Sequence, residues 1–362
     1  MINSKTYNIY FQPNLAVLNA ALIYLEKREK GMKIGIVGSG GIVNTFVDAV
    51  KEAHGVELVA IWCREKSIEK GKTIAKKGSF NKVYTDYELM LKDEEVEFVY
   101  IALPNDLHYS YSKRALEAGK NVIDEKPFTS TAEEAETLIN LAKRKNLFLF
   151  EAITTLHLPN YKLIKEKLKE IGDVKIVTCN YSQYSSRYDA FLKGQIHPVF
   201  NPELSGGALM DINIYNLHFI FGLFGKAKGV KYLANIAHNG VDTSGIVTLK
   251  YDRFAGVCIG AKDCGCESTC YIEGTKGYIK VNSPANQCLS FEMCLNGSKP
   301  ETFNVQTISN RMVYEMDDFK EIFNSKNYEE CYHLLDHSLN VIKAAVEARR
   351  NAKIVFKADI NK

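Results

Sequence analysis

At 362 residues, with 46% hydrophobic and 25% charged side chains, the chain has an ordinary globular composition and room for two domains. A net charge of +3, from 46 basic and 43 acidic residues, argues against a nucleic-acid partner. No run approaches the about 18 consecutive apolar residues of a membrane span, and nine cysteines without a secretory signal point to reduced thiols and a cytoplasmic location.

Residues 1–31 read as a short helical extension with Asn14 at a cap-like position. The apolar stretch 15–25 is followed, not preceded, by its charges, the wrong polarity for a signal peptide. Residues 32–152 then alternate strand and helix. A strand over 33–37 runs into Gly38-Ser39-Gly40-Gly41-Ile42, and a helix follows over 42–53. That order makes a phosphate cradle. Gly38 permits the turn, Gly40 has no Cβ to block a pyrophosphate, and the free N–H groups of the helix start attract the anion. Val43 stands where the dinucleotide fingerprint has its third glycine.

Further strands are expected at 56–62, 97–103, 121–124 and 147–151, with helices ending at Lys77 and spanning 85–91, 106–118 and 131–145. Repeated βα units of this length require a parallel sheet covered on both faces, and ligands bind beyond the carboxyl ends of its strands. Gly38 to Gly41, Cys63-Arg64, Pro104-Asn105 and Glu125-Lys126-Pro127 therefore share one rim. The second strand ends without the acid that usually accepts from a ribose 2′-hydroxyl; Arg64 suits a 2′-phosphate, so NADP is expected over NAD.

The pattern changes over 153–362. A helix is expected at 159–171, a strand at 174–184, and then a polar and aromatic loop with Ser185, Ser186, Arg187, Tyr188, His197 and Asn201. After a helix over 206–225 come strands at 230–236, 245–251, 254–261, 269–273, 278–281 and 289–294, close enough together for an antiparallel sheet. Helices over 316–324 and 328–350 close the chain.

Two segments carry candidate chemistry. In the first, Lys126 follows a strand and precedes Pro127, which fixes the turn through either a trans or a cis bond. In the second, Asp211, Tyr215 and His218 share one helical face at spacings of four and three. An acid, a phenol and an imidazole there form either a reactive cluster or a hydrogen-bonded core. Cys264, Cys266 and Cys270 would share one face of an extended strand, but three thiols lack the fourth ligand and the spacing of a structural zinc site, so no metal is expected.

Gly38-Ser39-Gly40, Leu103-Pro104-Asn105-Asp106-Leu107-His108, Ala118-Gly119-Lys120-Asn121-Val122, Glu125-Lys126-Pro127 and Gly206-Gly207-Ala208-Leu209-Met210-Asp211 with Tyr215 resemble the Gfo/Idh/MocA oxidoreductase family. The similarity is greatest to its glucose–fructose oxidoreductase and dimeric dihydrodiol dehydrogenase branch and runs from about Met32 to about Phe356. It implies a Rossmann domain and a second α/β domain whose open, mainly antiparallel sheet forms a homodimer or homotetramer interface. It also implies hydride transfer between NAD(P) and a sugar, polyol or dihydrodiol. Lys126 becomes the positioning and proton-relay lysine, Asp211 a substrate-orienting carboxylate and Tyr215 the acid/base. Gly38, Ser39, Gly40, Gly41, Ile42, Arg64, Leu103, Pro104, Asn105, His108, Glu125 and Lys126 become the cofactor contacts. Asn213 and Leu156 depart from the pattern, which leaves the substrate open, and a nucleotide-binding regulator without turnover is the alternative.

Overall fold

The computed structural model describes residues 31–360; the expected extension over 1–31 lies almost wholly outside them. Six strands form the first sheet: β1 (Met32–Val37), β2 (Val56–Trp62), β3 (Lys82–Tyr84), β4 (Phe98–Ile101), β5 (Asn121–Glu125) and β6 (Leu149–Ala152). Their order is β3-β2-β1-β4-β5-β6 and every pairing is parallel. This is the doubly wound order, with the reversal of direction beside β1. The strands are apolar runs because both faces are covered: Ile34, Ile36, Val99, Ile101, Val122 and Leu149 are all buried.

The second sheet has eight strands: β7 (Val174–Ser182), β8 (Gly229–Ile236), β9 (Asp242–Lys250), β10 (Ala255–Ala261), β11 (Thr269–Gly274), β12 (Gly277–Val281), β13 (Phe291–Leu295) and β14 (Glu301–Phe303). The order is β14-β13-β12-β11-β7-β10-β9-β8, and β7–β10 is its one parallel pair. Burial alternates along β9 to β13, since one face packs on helices and the other does not. The expected α/β class with an open, mainly antiparallel second sheet is therefore present.

Local differences have local causes. The three-residue strands β3 and β14 are too short to show periodicity. The helix Met312–Asn324 starts four residues before its expected start because Met312 and Val313 are core residues. It and the helix Tyr328–Asn351 return to the first sheet, where Met316, Phe319, Leu335 and Val346 join the core; Phe319 stacks on Phe150 at 4.3 Å. Val341, Ala345 and Ala348 on the same long helix pack into the second core. The two sheets are thus held against each other, with a cleft along the carboxyl ends of β1, β2, β4 and β5.

Candidate functional site

A cavity of about 620 Å³ fills that cleft. Its floor is the turn after β1. Gly38 has φ +114°, and a Cβ on it would overlap the Ala102 carbonyl, so no other residue fits without a shift. Beyond it, Cβ positions at Gly40 and Gly41 face open space. Gly40 caps the helix Gly41–Glu52, and no side chain bonds to the exposed amides. Free amides, a helix dipole and bare backbone beside an open cavity fit the pyrophosphate of a dinucleotide.

The remaining rim residues also line the cavity. Arg64 is exposed where β2 ends, with Ser67 and Lys70 nearby. The Asn105 amide donates to the Ser205 carbonyl at 2.8 Å, tying the loop after β4 to the second half of the chain. His108 is buried, and its ring nitrogens lie 2.9 and 3.0 Å from the carbonyls of Pro127 and Leu103. Both nitrogens are thereby committed to the loops that follow β5 and β4. Burial pushes the His108 pKa down, against those carbonyls. Glu125 accepts from Tyr100 Oη at 2.6 Å and from the Lys126 N–H at 3.2 Å; burial raises its carboxyl above the ordinary value.

The Lys126–Pro127 peptide bond is cis. Lys126 Nζ donates to the Asp211 main-chain oxygen at 2.8 Å and to Asp211 Oδ1 at 3.1 Å, and lies 4.9 Å from the centroid of the Tyr215 ring. Burial works against its charge, but Tyr215, Asp211 and Glu125 outweigh burial and raise its pKa. Asp211 feels the converse. Burial would raise its carboxyl, yet Lys126 and Lys262 hold it well below the usual carboxylate range. Tyr215 is pushed up to about 12, by burial first, with Lys126 pulling the other way.

The segment Leu209–Asn213 is π-helical and leads into the helix Ile214–Phe224. Its first turn is fixed from outside: Asp242 accepts the Leu209 N–H at 2.7 Å and the Tyr232 hydroxyl at 2.8 Å. Such bulges re-aim side chains at sites. Asp211 and Tyr215 both reach the cavity, but the shared face does not extend to His218. One turn further on, His218 is 0% exposed, with Nδ1 3.0 Å from His337 Nε2 and Nε2 3.4 Å from Glu151. A buried carboxylate and a second imidazole draw it into the core, so for His218 the core alternative holds.

Asn213 and Leu156 also sit off the cavity. Asn213 donates to the Cys258 carbonyl at 3.1 Å, facing the sheet. Leu156 packs beside Gly222. The three cysteines do not share a face: Cys264 and Cys266 are exposed in a non-strand stretch, and Cys270 is buried opposite Cys179.

Other residues at or beside the cavity carry no motif that marks them in the sequence. Lys262 is 5% exposed and binds Asp211 Oδ2. It follows β10 with no motif around it, and only the sheet register brings it to Asp211. Asn286 comes from the connection between β12 and β13, and Asn310, Arg311 and Glu315 from the return of the chain to the first sheet. Glu315 is buried with Oε2 unpartnered, and burial raises its carboxyl well above the ordinary value.

Residues 32–153 match the model of an oxidoreductase family with an NAD-binding Rossmann fold, and residues 161–280 match a Gfo/Idh/MocA C-terminal domain. The chain belongs to the Gfo/Idh/MocA oxidoreductase family. It is an NAD(P)-dependent dehydrogenase acting on a CH–OH group. It is 33% identical to scyllo-inositol 2-dehydrogenase (NADP(+)) of Bacillus subtilis, over 91% of this chain and 99% of that one. It is 30% identical to D-xylose 1-dehydrogenase (NADP(+)) of Hypocrea jecorina, over 75% and 77%. Among solved structures, a 3-ketoreductase from Actinomadura kijaniata in complex with NADP shares the fold, with a TM-score of 0.75 at 19% identity over 89% of this chain and 98% of that one.

Proposed function

We propose that this chain interconverts the CH–OH and C=O forms of a sugar, polyol or related diol, with NADP as its preferred cofactor. The observation that carries this reading is the convergence of Lys126, Asp211 and Tyr215 on the cavity that also holds the glycine turn. Gly38, Ser39, Gly40, Gly41 and Ile42 would hold the pyrophosphate. Arg64, Ser67 and Lys70 suit a 2′-phosphate, and no carboxylate stands among them. Leu103, Pro104, Asn105 and Glu125 would flank the ring, and His108 would position those loops. The NADP named for two relatives supports the same preference.

When bound, the nicotinamide ring supplies or accepts the hydride. Lys126, kept protonated, donates to the substrate oxygen and stabilises negative charge on it. Asp211 holds Lys126 in place and orients a neighbouring hydroxyl. Tyr215 gives the proton to that oxygen during reduction and takes it during oxidation. A regulator without turnover needs none of these three side chains, which favours the enzyme.

Two further readings belong here. The open face of the second sheet carries exposed Leu233 and Ile246, directly opposite each other, and Ile176 two strands away; this supports a homodimer or homotetramer through that face. Nine free cysteines support a reducing, cytoplasmic setting. Among the described residues no helix is long and apolar enough to cross a membrane.

The test is a titration with NADPH and NADH by fluorescence, then a panel of sugars, polyols and diols followed by the absorbance of reduced nicotinamide. Lys126→Ala should lower kcat by about 10²–10⁴-fold while NADPH still binds. Full activity in that variant would remove Lys126 from the mechanism.

A further inference from the structure

Beside the cofactor cavity lies a second one of about 290 Å³, which shares Lys126, Asp211, Tyr215, Arg187, Val199 and Asn286 with it. That volume suits a compact molecule of monosaccharide size, at the low end of small-molecule pockets. Its charge is unbalanced. Lys126, Lys262 and Arg187 line it, and Asp211 is the single carboxylate among the lining residues.

Asp211 is already divided between two ammonium groups, Lys126 on Oδ1 and Lys262 on Oδ2. Nearby acids are engaged elsewhere: Asp263 accepts from the hydroxyls of Thr243 and Ser244, and Asp189 from Tyr184. The Arg187 main chain donates its N–H to Ser185 Oγ at 3.3 Å and accepts from the Phe191 N–H at 3.0 Å, while its guanidinium has no acidic partner among the described residues. Lys262 is nearly buried, with Nζ 5.4 Å from the Phe200 ring centroid. Burying a second lysine costs free energy unless an anion compensates it. A neutral carbinol needs Lys126 and Asp211; it gives no use for the two further cations.

We propose that the substrate carries an anionic group, a carboxylate or a phosphate, held between Lys262 and Arg187 while its reacting carbinol lies against Lys126 and Tyr215. This rests on the dehydrogenase reading above and specifies its substrate class. The planar guanidinium of Arg187 suits either oxyanion in a two-point contact, and Ser185, Ser186 and Gln183 line the same wall as further donors.

The experiment uses the full chain with saturating NADP and two matched pairs: an aldose against its uronic acid, and a polyol against its phosphate monoester. At least one anionic member should exceed its neutral partner about tenfold or more in kcat/KM, mainly through KM, and added salt should narrow the gap. The arm that shows the preference separates carboxylate from phosphate. Arg187→Gln should raise KM for the anion about tenfold or more and KM for its neutral partner far less; being exposed, Arg187 can be replaced without loss of the fold. Neutral members that match or exceed their anionic partners in both pairs overturn the proposal, as does an Arg187→Gln enzyme with its preference intact. Turnover of none of the four while NADPH binds overturns the dehydrogenase reading itself, and this inference with it.

Discussion

Gly38 to Ile42 shape one wall of the cleft with main-chain amides, whereas the charges of Lys126, Asp211 and Lys262, with the phenol of Tyr215, shape the other. The first wall is local. Five consecutive residues set it, and its demands fall on backbone conformation at one or two of them. The second is assembled from three separated places in the chain, and each member depends on the charge of the others. A local backbone site fails at single glycines, and a charge cluster fails through its network.

The sharpest way to break the first wall is Gly38→Ala. The methyl would meet the Ala102 carbonyl at a φ of +114°, a strain of about 1–3 kcal/mol before any shift of β4. NADPH affinity should fall by about two orders of magnitude, read by fluorescence titration, with a lower Tm. Gly229→Ala, outside the cavity lining and with an ordinary 3.7 Å contact at its Cβ position, serves as the control and should keep both. Equal binding by the two variants would deny that the turn's conformation matters.

On the opposite wall Tyr215→Phe removes one oxygen and leaves the packing. Turnover should drop about 10²–10⁴-fold. The pH profile carries the sign. With the phenol pushed up to about 12, its protonated form dominates throughout the neutral range. Reduction then has its proton donor in place and runs flat with pH. Oxidation needs the deprotonated form, so its rate climbs as pH rises and reaches no plateau below that value. Tyr215→Phe should abolish the climb, as measured by kcat in the oxidative direction; a climb that persists assigns the proton to another group.

What is legible in the sequence follows the same division. The parallel sheet and the glycine turn could be read from a strand, a turn and a helix adjacent in sequence. Glu125-Lys126-Pro127 and Asp211 with Tyr215 were found as short motifs. Lys262 was not, because its role arises from the pairing of β10 with β7 and β9 and from the fold of the helix above them. Arg311 and Glu315 are not legible there, because the helix that Arg311 precedes and Glu315 sits on belongs by sequence to the second half of the chain and by packing to the first core. His218 shows the opposite failure. Spacing placed it with Tyr215, and a 60° rotation on the helix sufficed to turn it to Glu151.

That rotation yields the smallest of the expected effects. If His218 belongs to the core, His218→Gln should change kcat by less than about threefold while it lowers stability by about 1–3 kcal/mol, the cost of leaving a buried group without its partner. Burial would raise the Glu151 carboxyl, but His218 outweighs it and holds the pKa below the ordinary value. A carboxylate lowered in this way contributes stability above its unfolded pKa, and the contribution is lost as pH falls through the folded one. In His218→Gln only the Phe128 N–H and Ser338 still oppose burial, so the deficit should be greatest near neutrality and shrink in acid, where Glu151 is protonated in both proteins. Thermal melts across that range measure it directly. A large loss of kcat with an unchanged Tm would instead return the imidazole to the reacting cluster, and the side-chain wall would extend one helical turn deeper than Tyr215.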